Sequence, residues 1–281
     1  MILGDDDARF LVRCAREQDI VESQWKKKLK EMFDEITQKV IDGEVKASEI
    51  DFIDFYLRHA IAVSTQSLQH TKKEYERGPR VRMAKKPVPR SLRDLMKMWD
   101  QYRKKGTVPR RIKDVADAVR KRYLEKVQST YKKYSEDLRS GSSFDREHAV
   151  KKIEKAAETA YSRAKMIVET ETTYHYNKVR QEFYDEVEDV SHYLYMAIRD
   201  HRTSKWCTPR RTPEGRGRHG LVYTKGTTVA QREVPPTHWN CRSSIIPLLP
   251  TNPKHYRLIS DPALRREHNI CTPLPPGWGE R

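Results

Sequence analysis

The sequence predicts a mainly α fold: an elongated helical N-terminal body, then a small α+β C-terminal module and an extended tail. Three observations predict it. Up to about residue 190, apolar residues recur at three- and four-residue steps, the period of a one-sided helix. From Ser191 the pattern switches to alternation, and from Pro250 prolines break regular structure. With 36% hydrophobic and 34% charged residues in 281, the core must come from narrow, well-patterned stripes rather than broadly apolar strands.

The first helix is expected over Phe10–Val40, with Trp25, Leu29, Met32, Phe33, Ile36 and Val40 on one face and Gly43 as its C-terminal cap. Ser48 and Asp51 resemble a capping box opening a second helix, whose stripe runs through Ile50, Ile53, Leu57, Ile61 and Leu68. Together they read as an antiparallel helical pair over 1–77. Prolines at 79, 87 and 89 make 78–109 a basic linker, carrying one short helix opened by Ser91 and Asp94. Long helices fill 110–190. One runs from Arg110 to Leu138. The next carries Val150, Ile153, Ala157, Ala160, Tyr161, Ala164, Ile167 and Val168, with a bend expected where threonines crowd between Glu169 and Thr173. The small module spans 191–249 and borrows 160–190. Leu194, Met196 and Ile198 lie on one side of its first strand, and Tyr193, Tyr195 and Ala197 on the other. Short strands are also expected at Leu221–Thr224 and Ser243–Leu248. The tail, 250–281, is expected to lie over the surface as an arm.

A net charge of +16 points to a polyanionic partner such as DNA. The candidate contacts cluster at Arg80, Arg82, Lys85, Lys86, Arg90, Arg93, Lys104, Lys105, Arg110 and Arg111, where a solvated basic linker is the plainer reading. Four scattered cysteines fit synthesis in a reducing cytoplasm better than a disulfide framework. The start of the chain lacks a signal-peptide pattern, and no apolar run of about 18 residues predicts a membrane span.

Chemistry-bearing residues concentrate in three pieces: Ala164–Thr172 with Tyr176–Arg180, Asp200–Cys207, and Val234–Ser243. Cys207, His238 and Cys241 have the residue types of a zinc clip, soft thiolates with an imidazole, and His201 or His219 could supply a fourth ligand. The same residues also fit a buried, hydrogen-bonded cluster without an ion. Pro235 and Pro236 fix the approach to His238, and Asn240 suits a turn. Glu169 with Arg202, or Asp200 with Arg242, would pin the sheet to the long helix.

In these pieces the chain resembles the phage Mu protein F-like head morphogenesis family. The resemblance rests on Glu169-Thr170, on Asp200-x-Arg202-Thr203-Ser204-x-x-Cys207, and on Pro235-Pro236-x-His238-x-Asn240-Cys241-Arg242-Ser243. It covers roughly Ala160 to Leu248. The chain departs from the pattern at Val168, where Arg is usual, and at Ser204, where many relatives carry a first cysteine. The resemblance implies a non-enzymatic minor head protein of a tailed phage acting in procapsid assembly. It would be made in the host cytoplasm and reside in the virion near the portal, with portal protein, other head proteins and packaged DNA as partners. Two other functions stay open, a DNA-binding module and a zinc-dependent nuclease suggested by His238-Trp239-Asn240. The nuclease reading lacks a second His or Asp at suitable spacing. No phosphate-binding loop, G-x-S-x-G or H-E-x-x-H motif occurs.

Overall fold

The computed structural model describes residues 5–46, 49–77, 90–105, 110–197, 203–207, 219–227, 234–249 and 252–267. The chain forms two compact units: Met1–Ile20, Ala62–Asp94 and Thr170–Arg281 in the first, Val21–Ile61 and Leu95–Glu169 in the second. The mainly α prediction holds, with a small three-stranded sheet near the C-terminus.

Helix α1 spans Asp5–Ile41. It ends as the sequence predicts: Gly43 takes φ 76°, and the Gly43 and Glu44 N–H groups donate to Val40 and Lys39 carbonyls at 3.2 and 2.9 Å. That pair of bonds satisfies carbonyls the helix end would otherwise leave open. Helix α2, Ile53–Arg77, starts differently from the expected capping box. The Asp51 carboxylate accepts directly from the Ile53 N–H at 2.7 Å, one short turn before the helix, and Ser48 lies outside the described residues. Helix α3, Arg90–Lys105, takes its N-terminal acceptor from a distance, because Glu182 accepts from the Ser91 N–H at 2.8 Å.

The single helix expected from Arg110 is divided. Helix α4 (Arg110–Tyr123) passes through a π-helical turn at Leu124–Gln128 into α5 (Ser129–Ser140). At this turn the Ser129 and Thr130 hydroxyls donate to the Glu125 and Lys126 carbonyls at 2.6 and 2.7 Å. Helix α6 then opens on a reciprocal capping box, with the Ser142 Oγ accepting from the Asp145 N–H and the Asp145 carboxylate accepting from the Ser142 N–H. It runs as one helix over Ser143–Asp185, through the threonines where a bend is expected. Thr170, Thr172 and Thr173 are buried, and the hydroxyls of Thr170 and Thr173 bond to the C-terminal module rather than loosening their own helix.

The second unit has an aromatic core. Phe33 of α1 meets Phe52 and Tyr123 at 5.5 Å and Tyr161 at 5.8 Å, while Trp25 meets Phe55 edge-on at 5.3 Å. The Tyr123 hydroxyl and Thr37 Oγ1 share a buried hydrogen bond of 3.2 Å. His59 lies in the same core, where burial pushes its pKa down to about 3, so the ring is neutral at physiological pH.

In the first unit, strands β1 (His192–Met196), β2 (Val222–Thr224) and β3 (Ser244–Leu248) form an antiparallel sheet in the order β2-β1-β3. Tyr193 pairs with Tyr223 on one side and Pro247 on the other. Pro247 is tolerated because β3 is an edge strand. The predicted alternation is observed. Tyr193 and Ile245 pack on Val179, Phe183 and Val187, while Leu194, Met196, Ile246 and Leu248 pack on Leu258 and Ile259. Those last two residues correct the expected surface arm over 253–267, and residues 268–281 lie outside the described residues. Residues 253–267 form helices α7 (Pro253–Ser260) and α8 (Pro262–Glu267), capped by Asn252 and Asp261, each followed by a proline preset for a first helical turn. Among the described residues, no helix is long and apolar enough to cross a membrane.

Candidate metal centre

Cys207 and Cys241 come from two loops, one after β1 and one before β3, and both thiols are buried. Helix α6 fixes the second loop from below. Thr173 Oγ1 donates to the Cys241 carbonyl at 2.5 Å, and the Asn240 N–H donates to Thr170 Oγ1 at 3.1 Å. Asn240 itself adopts φ 58°, a left-handed conformation that asparagine accepts more readily than most residues. Its role is this backbone turn and bond. Pro235–Pro236 is a cis peptide, and the Thr237 hydroxyl lies 3.1 Å from the Tyr195 hydroxyl.

The Cys207 and Cys241 sulfurs are 4.0 Å apart, and His238 Nε2 lies 2.9 Å from the Cys207 sulfur. These three form a group able to hold a metal ion. Two thiolates on a tetrahedral zinc at about 2.3 Å each would stand roughly 3.8 Å apart, close to the observed sulfur separation. The imidazole tautomer is also suitable. Nδ1 lies 2.6 Å from the Trp239 carbonyl, which can only accept, so Nδ1 carries the hydrogen and Nε2 keeps its lone pair toward the thiols. The two thiols behave as one titrating pair. A hydrogen bond from Cys207, aided by the Ser243 and Tyr195 hydroxyls, holds Cys241 toward the thiolate. The same bond, with burial, holds Cys207 toward the thiol.

Ser204 has its Oγ 2.8 Å from His238 Nε2, so it hydrogen-bonds the histidine of the cluster. His219 does not join the cluster, and its Nδ1 accepts from the Ala197 N–H at 3.1 Å. His201, Asp200 and Arg202 lie outside the described residues. Glu169 is buried and forms an ion pair with Lys26, while its expected partner Arg202 lies outside the described residues. Arg242 is half-buried beside Cys241.

The basic candidates divide. Arg80, Arg82, Lys85 and Lys86 lie outside the described residues, as does the side chain of Lys105. Arg90, Arg93, Lys104, Arg110 and Arg111 are exposed, the first two in the first unit and the others in the second.

One group escaped sequence reasoning. Cys14, His70 and Glu74 of α1 and α2 also converge within metal-binding reach. Here Arg180 donates to Glu74 at 2.8 Å, and burial pushes the Cys14 thiol up to about 12. A guanidinium already balances that carboxylate, so the group is a buried ion pair with a protonated thiol beside it.

Compared with protein-family models, curated proteins and solved structures, the chain gives no match.

The Cys207–His238–Cys241 geometry sets a first expectation. The purified chain should hold close to one metal ion per molecule by elemental analysis, and His238→Ala should hold almost none. Ser204→Cys would set a third thiol beside His238 and is expected to tighten binding at least tenfold in chelator competition. Unchanged affinity in Ser204→Cys would mean that Ser204 does not face the ion.

Proposed function

We propose that this chain is a minor head protein of a tailed bacteriophage, acting in head assembly as a structural component rather than as an enzyme. The observation that carries the reading is convergence. Three segments far apart in sequence, which carry the resemblance to the Mu protein F-like family, meet around one buried node: Thr170 and Thr173 of α6, Cys207, and the His238–Ser243 loop. Their polar groups bond to each other and to backbone, the arrangement of an architectural clip.

Zinc is the ion proposed for the clip, held by Cys207, His238 and Cys241. It would supply cross-linking free energy to a three-stranded sheet too small to stand on its own core. A thiolate-rich ligand set suits structural zinc better than the oxygen-rich sites of metal-dependent nucleases. The partners proposed are the portal protein and other head proteins. Packaged DNA is the partner proposed for the exposed Arg90, Arg93, Lys104, Arg110 and Arg111.

Quantitative mass spectrometry of purified particles and empty procapsids tests the reading. A few copies per particle, comparable with the portal, is the expected result. Absence from both would overturn the virion role and leave a DNA-binding protein as the better account.

A further inference from the structure

We propose that Trp206 and Trp239, exposed on the two loops of the Cys/His clip, bind single-stranded nucleic acid by stacking its bases. Two of the large apolar side chains exposed among the described residues are tryptophans, at 39% and 52% exposure, and both sit on this clip. Each is the chain neighbour of a cluster residue, Trp206 of Cys207 and Trp239 of His238, and those two side chains meet at 2.9 Å. The clip thus holds two indoles at the surface on short, tied loops. Exposing so much aromatic area has no folding benefit, and pre-placed aromatic faces are what unpaired bases use.

The surrounding charge selects the partner. Lys205 Nζ stands 5.9 Å from the Trp206 ring centroid, and Arg242 follows Cys241. Neither Thr203–Cys207 nor Thr237–Ser243 contains an acidic residue. A polyanion with accessible π-faces answers both features at once. A duplex offers the phosphates but keeps its bases stacked inside. The inference does not depend on the virion role, and particle content does not test it.

The test is fluorescence anisotropy of a short labelled oligothymidylate titrated with the full chain, with a duplex of the same length as competitor. Trp206→Ala and Trp239→Ala should each weaken binding about tenfold, with Trp→Phe at either position keeping most of it. Lys205→Gln should lower the slope of log affinity against log salt by about 0.7. Thermal melts and zinc content should match the parent, which separates a lost platform from a damaged clip. Tryptophan variants that bind like the parent, or a duplex that competes equally, would overturn the proposal in favour of phosphate contacts on the basic helices. It would also be overturned if those variants kept oligonucleotide affinity but lost association with head proteins, since the two tryptophans would then mark a protein-docking surface.

Discussion

Arg180→Ala is expected to cost about 3–5 kcal/mol of folding stability, the range seen when one partner of a buried ion pair is removed. The Arg180 side chain has 0% exposure, and its guanidinium donates to Glu74 at 2.8 Å. It also lies 5.7 and 5.8 Å from the ring centroids of Tyr176 and Tyr184. Truncation would leave the Glu74 carboxylate buried beside the Cys14 thiol without its cation, and it would open a cavity among those rings. A second variant separates the two costs. Arg180→Met with Glu74→Leu removes both charges and refills the space, so it should recover most of the loss, because apolar replacement of a whole buried pair is often neutral or better. Urea unfolding with an unchanged m-value is the measurement. A loss under about 1 kcal/mol for Arg180→Ala would mean water reaches Glu74, and the buried-pair description would fail.

This cluster marks a boundary of what the sequence makes legible. Periodicity places the helices, and alternation places Tyr193 and Leu194 on opposite faces of β1, because burial on one face imposes the period directly. The clip is legible for a different reason, since Cys, His and Pro at fixed offsets carry chemistry in their types. Cys14, Glu74 and Arg180 have neither advantage. They lie 60 and 106 residues apart. The available signal is a lone arginine on the α6 face shared with Tyr176, Phe183 and Tyr184, a charge where the stripe calls for an apolar residue. The π-turn after Tyr123 is similar. The hydroxyls that bond there, Ser129 and Thr130, look like ordinary helix-surface residues in sequence. The Lys26–Glu169 pair is likewise out of reach of local patterning, because its two residues lie far apart in sequence.

The second large effect is expected at Asn177, which ties α6 to the sheet. Its side-chain amide donates to the Thr173 and Ser243 carbonyls, both at 3.0 Å. Its oxygen accepts from Ser244 Oγ at 3.0 Å and from the Ile245 N–H at 3.1 Å. The residue is fully buried, so no water replaces those partners. Asn177→Ala would strand the Ser243 carbonyl and the Ile245 N–H, at about 1–3 kcal/mol each, for a loss of roughly 2–5 kcal/mol. Asn177→Leu fills the space without bonding and should be no better, which distinguishes lost hydrogen bonds from a cavity. Hydrogen exchange gives a local readout, with the Ile245 amide expected to exchange at least thirtyfold faster for a loss of about 2 kcal/mol. The effect should reach the clip as well. Ser243 Oγ lies 3.1 Å from the Cys207 sulfur, so loosening this strand end loosens a thiol's support, and zinc affinity should fall about 10–100-fold. If stability fell while zinc affinity held, the sheet and the clip would be independently supported, and α6 would serve the clip through Thr170 and Thr173 alone.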